Sequence, residues 1–129
     1  MSDNYVKLGD VFVYKISVEL CDKGWSIYKD MNWQIKKVIG DQFIRAIDSI
    51  AANIAEGYGR YHYLEKIKFY YYSRGSLLEV KHWSFLIYRR KIITKDIFDS
   101  ILKLTNLIHY NLNKLIQSCY KTKSGKELL

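Results

Sequence analysis

Proline is absent from this 129-residue chain, and glycine occurs only seven times. These two residues break helices and supply sharp turns, so a chain this poor in them is expected to have few turns and long helices. Cysteine occurs twice, as Cys21 and Cys119. With no secretory leader pattern at the start, both are expected to be reduced core thiols of a cytoplasmic protein. No apolar run approaches the roughly 20 residues of a membrane-crossing helix, which leaves no expected membrane partner. Period-two alternation is missing at any length, which argues against a sheet. No serine falls near a histidine and an acid in a recognisable nucleophile pattern, and no catalytic residue or cofactor motif emerges.

What is present is helical periodicity. With 49% hydrophobic residues, the chain can fill one modest core as a single domain over 1–129. Four amphipathic segments are expected, at about 10–29, 32–57, 61–90 and 94–121, with a frayed tail over 122–129. In the first, Val11, Tyr14, Val18, Cys21, Trp25 and Tyr28 recur at spacings of three and four, as a buried stripe requires. Gly24 sits inside it as a weak point. Asn32 is the expected N-cap of the second segment, and Gly57 its left-handed terminating residue. Thr94 is the expected N-cap of the fourth, with Asp96 in its first turn. Connections of two to six residues between helices this long imply an antiparallel up-down-up-down four-helix bundle.

Two segments carry more than one core stripe. On the second, Phe43, Ile47, Ile50, Ala51 and Ile54 share one side. Gln42, Arg45, Ser49, Ala52, Asn53 and Glu56 gather on a flat polar face opposite, expected to be buried against another helix or subunit or tied through Arg60. On the third, fourteen of the twenty-five residues from Leu64 to Tyr88 are apolar or aromatic, too many for one stripe. A single bundle offers one core, so the surplus predicts a homo-oligomer.

The net charge of +8 is unevenly placed. Residues 1–59 hold seven Lys/Arg against eight Asp/Glu, and residues 60–129 hold fourteen against five. A basic half on a small domain points to an acidic partner such as nucleic acid. Tyr58, Tyr61, Tyr63, Tyr70, Tyr71 and Tyr72 are interleaved with Arg60, Lys66, Lys68 and Arg74. Cations among rings suit single-stranded nucleic acid, and the same rings also suit core and subunit packing. Arg89, Arg90 and Lys91 form a second basic cluster at the end of the third segment, where cations also offset the helix dipole. Glu79 and His82 have the Glu-x-x-His spacing of di-metal bundles, but the required second copy is missing and no metal site is expected. "GYGR" is too short for a phosphate loop and follows a helix rather than a strand.

The stretch "SIAANIAEGYGR", Ser49 to Arg60, resembles the signature of the bacterial four-helix bundle family that includes the 23S rRNA intervening-sequence, or S23-like, proteins. The family form is close to S-I-P-x-N-I-A-E-G-F/Y-G-R. Ser49, Ile50, Asn53, Ile54, Ala55, Glu56, Gly57, Tyr58, Gly59 and Arg60 match it, with Ala51 in place of the proline. Gln42 and Arg45 fit the segment before it. Glu65, Phe69, Gly75, Ser76, Leu77 and Glu79 fit the family pattern in the third segment, and "LNKLIQS" (112–118) fits its close. The resemblance implies an antiparallel four-helix bundle assembling into a ring, typically a homopentamer, with no established catalytic role. Related accessory proteins of diversity-generating retroelements bind a reverse transcriptase and nucleic acid through a basic surface. The loss of proline at position 51 implies a straighter second helix.

The expected function is therefore that of a non-enzymatic oligomer binding RNA or DNA, with RNA favoured. Arg60, Lys66, Lys68, Arg74, Arg89, Arg90 and Lys91 are its phosphate contacts. Arg45, Asn53, Glu56, Gly57, Gly59, Arg60 and Gly75 have structural roles. The alternative is a protein-interaction adaptor, for example an accessory partner of a reverse transcriptase.

Overall fold

The computed structural model describes residues 11–128, with side chains described for 11–121. Helix α1 spans Phe12–Lys29. Helix α2 is continuous but composite: a first turn over Trp33–Ile35, a π segment over Lys36–Gly40, and an α-helix over Asp41–Gly59. Helix α3 spans Tyr63–Arg89, and α4 spans Lys95–Leu128. The fourth helix thus runs on past its expected end at about 121, its backbone helical through Leu128. Each helix packs on its neighbours in chain order, and α1 closes against α4. Short connections make those neighbours antiparallel, so four helices enclose one core.

The caps explain the boundaries. Asn32 Oδ1 accepts from the Ile35 amide at 2.9 Å, and Thr94 Oγ1 accepts from the Ile97 amide at 3.3 Å, as expected of both residues. At the end of α3 the Ile92 amide donates to the Ile87 carbonyl at 2.8 Å and the Lys91 amide to that of Tyr88 at 2.9 Å. These paired bonds form a Schellman turn, which requires a left-handed residue, and Lys91 takes it with φ 64°. Lys91→Gly is therefore expected to raise stability by about 0.5–1 kcal/mol, because glycine adopts that conformation without a Cβ penalty. A urea titration checks this, and an unchanged midpoint contradicts it.

Gly57 is not the left-handed terminator that the sequence suggested. No described glycine has a positive φ, and α2 continues through Gly57 to Gly59. Arg60 ends the helix by turning extended, with φ −79° and ψ 146°. Gly57 is buried, and a Cβ there would lie 2.6 Å from Cε1 of Tyr70 and 3.2 Å from the Lys66 carbonyl oxygen. Close approach of α3, not turn geometry, requires glycine. Gly24 has a similar origin: a Cβ on it would lie 2.6 Å from Cδ1 of Ile47.

The expected stripe of α1 holds in part: Val11, Tyr14, Cys21 and Tyr28 are half-buried against the core, but the centre of the buried face lies beside it. Val13, Ile16, Ser17, Leu20 and Gly24 are buried, whereas Val18 and Trp25 are exposed. Both sets have helical spacing, and the close approach of Ile47 to Gly24 sets the buried centre on the one that contains Gly24. On α2 the expected set holds, with Phe43, Ile47, Ile50, Ala51 and Ile54 all buried. The opposite polar face is covered only in part within the subunit: Ser49 and Asn53 are half-buried, with Ser49 bonded to Ser76 of α3 and Glu56 paired with Arg60 as expected, whereas Gln42, Arg45, Ala52 and Glu56 are exposed. Asn53 Nδ2 donates to the Ser49 carbonyl of its own helix at 2.8 Å rather than to another element.

Candidate nucleic-acid interface

The signature stretch builds the seam between α2 and α3. Ser49 Oγ donates to Ser76 Oγ at 2.6 Å, and Ser73 Oγ donates to the Ile50 carbonyl at 2.8 Å. Small hydroxyl residues let the two backbones approach, and Gly57 lets the buried Tyr70 ring lie flat against α2. Lys66 Nζ donates to the carbonyls of Tyr58 at 2.8 Å and Gly57 at 3.3 Å. It thereby caps the end of α2, adding a second donor at the Gly57 carbonyl, which already accepts from the Arg60 amide at 3.2 Å. Arg60 pairs with Glu56 one turn away and lies over the Phe69 ring, 4.8 Å from its centroid.

These contacts divide the expected phosphate-binding residues. Lys66 serves as a helix cap, and the charge of Arg60 is offset by Glu56, so neither is a free cation. Lys68 is 5.9 Å from the centroids of both Phe69 and Tyr72. Arg74 lies 4.6 Å over Tyr71 and donates to Asn113 Oδ1 on α4 at 2.8 Å. Lys68 and Arg74 each sit beside exposed rings of α3, six residues and about 120° apart around the helix, with Arg74 on the side that meets α4. Arg89, Arg90 and Lys91 do not join them, since sixteen residues of helix separate Arg74 from Arg90, about 24 Å along the axis.

The surface around Arg74 continues onto α4. The hydroxyls of Tyr71 and Tyr120 lie 3.2 Å apart, and Lys114 sits 5.4 Å over the Tyr110 ring. Tyr72, Tyr110 and Tyr120 are 51%, 64% and 43% exposed, so their rings face solvent instead of filling the core. Tyr110, Asn113, Lys114 and Tyr120 were not among the residues expected from sequence. All four lie within eleven residues of one helix, but the contacts of Asn113 with Arg74 and of Tyr120 with Tyr71 are products of tertiary packing. His109 lies beside this surface, and burial together with Lys81 and Arg74 pulls its pKa below the usual histidine value.

A second feature of α3 faces away from the core. Leu64, Tyr71, Leu78 and Phe85 recur every seventh residue and are all exposed. Gly75 lies on the same line with nothing within 4 Å of where a Cβ would be. The doubly apolar character read from the sequence is thus real, with one stripe in the core and one on the surface.

Among the described residues, no group of three or more His, Cys, Asp or Glu side chains could hold a metal ion. Burial and the nearby Asp48 push the Cys21 thiol up to about 12, and burial raises Cys119 as well. Both thiols are protonated at neutral pH and are poor nucleophiles. No described helix is long and apolar enough to cross a membrane.

Four antiparallel helices around one core, with a glycine-and-serine seam between the second and third, define a four-helix bundle protein. The chain belongs to the 23S rRNA-intervening sequence protein family, whose model matches residues 9–114. It is similar to a crystal structure of a protein of unknown function from the S23 ribosomal protein family of Bacteroides thetaiotaomicron VPI-5482. That similarity has a TM-score of 0.76 at 27% sequence identity and covers 81% of this chain and 97% of the other. A comparison with curated proteins finds no match.

Proposed function

We propose that this protein is a non-enzymatic, self-associating bundle that binds nucleic acid, with RNA favoured, across the joint face of α3 and α4. The observation that carries this reading is the pairing of cations with solvent-facing rings on both helices: Lys68 by Tyr72 and Arg74 over Tyr71 on α3, Lys114 over Tyr110 on α4, with Arg74 bonded across to Asn113. Every base offers a π face to a tyrosine and every nucleotide a phosphate to a cation, so such a surface takes single strands with little sequence preference. The basic balance of residues 60–129 supplies the long-range attraction. Self-association supports it, because each added copy repeats the surface and lets several modest contacts act together. The family resemblance implies a ring of five for that assembly.

Replacing Lys68, Arg74 and Lys114 together by Gln is expected to weaken binding of a fluorescent single-stranded RNA by about tenfold or more at low salt. Replacing Lys7, Lys15 and Lys23 in the charge-balanced half is expected to change it little. Equal losses from the two triple variants would show attraction by net charge alone and defeat the assignment to this face. A second reading, that of a protein adaptor, is favoured by the groove at the far end of the bundle.

A further inference from the structure

Three clefts adjoin at the end of the bundle where the α1–α2 and α3–α4 connections meet, with volumes of about 450, 420 and 230 Å³. Ile92 lines all three, Ile27 lines the first two, and Ile35 lines the second and third, so they form one continuous groove. Its combined size is that of a site able to hold several side chains. The floor is aliphatic. The π segment of α2 adds Val38 and Ile39 to it, and Val38 is left 66% exposed. π turns of this kind are frequent where a helix serves a binding surface.

The charged side chains lining the groove are Lys23, Arg90 and Lys91, against Asp30 alone. Lys91 holds its place in a backbone conformation that glycine would take at no cost.

An aliphatic floor under a cationic rim restricts what can occupy it. A second copy of this chain carries a net charge of +8 and meets the rim with like charge. Nucleic acid suits the rim but not the floor: no lining side chain is aromatic, so no base can stack, and phosphates would be desolvated against isoleucines. A peptide with aliphatic side chains set among Asp and Glu satisfies both surfaces at once. We infer that this groove docks an acidic, aliphatic segment of another protein. The inference is independent of the nucleic-acid reading, since it uses other residues about 24 Å along α3.

The test is a titration of the full chain, followed by isoleucine methyl NMR, with three probes. These are a synthetic helical peptide of Leu and Glu, a matched peptide of Leu and Lys, and a uridine oligonucleotide. The Leu–Glu peptide is expected to shift the methyl signals of Ile27, Ile35, Ile92 and Ile97 saturably, and to bind about tenfold or more tighter than the Leu–Lys peptide. Arg90→Glu is expected to remove most of that affinity. Because Arg90 is exposed, the variant retains the fold, and Lys23→Glu reports independently on the same rim. No saturable shift at these methyls, equal binding of the two peptides, or an oligonucleotide that shifts these same signals would each overturn the inference. Oligonucleotide shifts around Tyr71 and Tyr120 are scored separately, so failure of one reading is distinguishable from failure of the other.

Discussion

Gly57→Ala is expected to destabilise the bundle by about 1–2 kcal/mol, although alanine is the better helix former by up to about 1 kcal/mol. Gly57 lies inside α2, where propensity alone favours the substitution. Opposing it is the added methyl, which would sit 2.6 Å and 2.9 Å from two carbons of the Tyr70 ring and 3.2 Å from a backbone oxygen of α3. Tyr70 is 2% exposed and cannot swing away without opening the core. Steric cost therefore outweighs helix propensity, and both α3 and the Lys66 cap must shift with the ring. Gly75→Ala is the matched control, because no atom lies within 4 Å of its Cβ position. It is expected to stabilise the isolated subunit by up to about 1 kcal/mol. Urea unfolding of the two variants decides the matter: a parent-like Gly57→Ala protein would contradict the close-packing account of the signature.

The contrast between these glycines shows what the sequence made legible. Segment number, the caps Asn32 and Thr94, and the buried face of α2 were all readable from spacing and local chemistry. The role of Gly57 was not, because a glycine near a helix end has the same appearance whether it serves a turn or a neighbouring helix. The centre of the α1 stripe was hidden for a related reason: Val18 and Trp25 have the right spacing for a core, and the packing of Ile47 on Gly24 turns them outward while Val11, Tyr14, Cys21 and Tyr28 still meet the core. In the sequence Lys66 has the appearance of a free cation among tyrosines, yet the carbonyls of Gly57 and Tyr58 at the end of α2 lie within its reach. Spacing along one helix cannot reveal such an interaction. The same limit hid Tyr110, Asn113, Lys114 and Tyr120, which join the candidate site only when α4 lies beside α3.

The second large effect concerns assembly. The parent protein is expected to scatter light as a particle several times its 15.4 kDa chain mass, and Leu78→Glu as a single chain. Leu64, Leu78 and Phe85 form a line of exposed apolar side chains at multiples of seven residues on the side of α3 away from the core, while Tyr71 between them is drawn to the α4 side by its hydroxyl contact with Tyr120. Water against such a line costs roughly 25 cal/mol for each Å² of apolar surface, which a facing copy removes. Gly75 lies within the line and lets another backbone approach closely. Leu78 is 56% exposed, so a glutamate there is tolerated by the folded subunit but buried unpaired between two copies. Helical content should therefore be unchanged while the mass falls. A parent protein of 15.4 kDa at micromolar concentration, or a Leu78→Glu variant that retains the parent's mass, would sink the assignment of this stripe to self-association.

Binding of nucleic acid across the α3–α4 face is the central claim, and its salt dependence tests that claim most directly. The affinity of the parent for a single-stranded RNA, measured from low to moderate salt, should fall linearly on logarithmic axes. In the Lys68, Arg74 and Lys114 triple variant the slope should become shallower by roughly 0.7 for each phosphate no longer neutralised. A parent protein that binds no RNA or DNA at low salt, or a triple variant with the parent's slope and affinity, would contradict it.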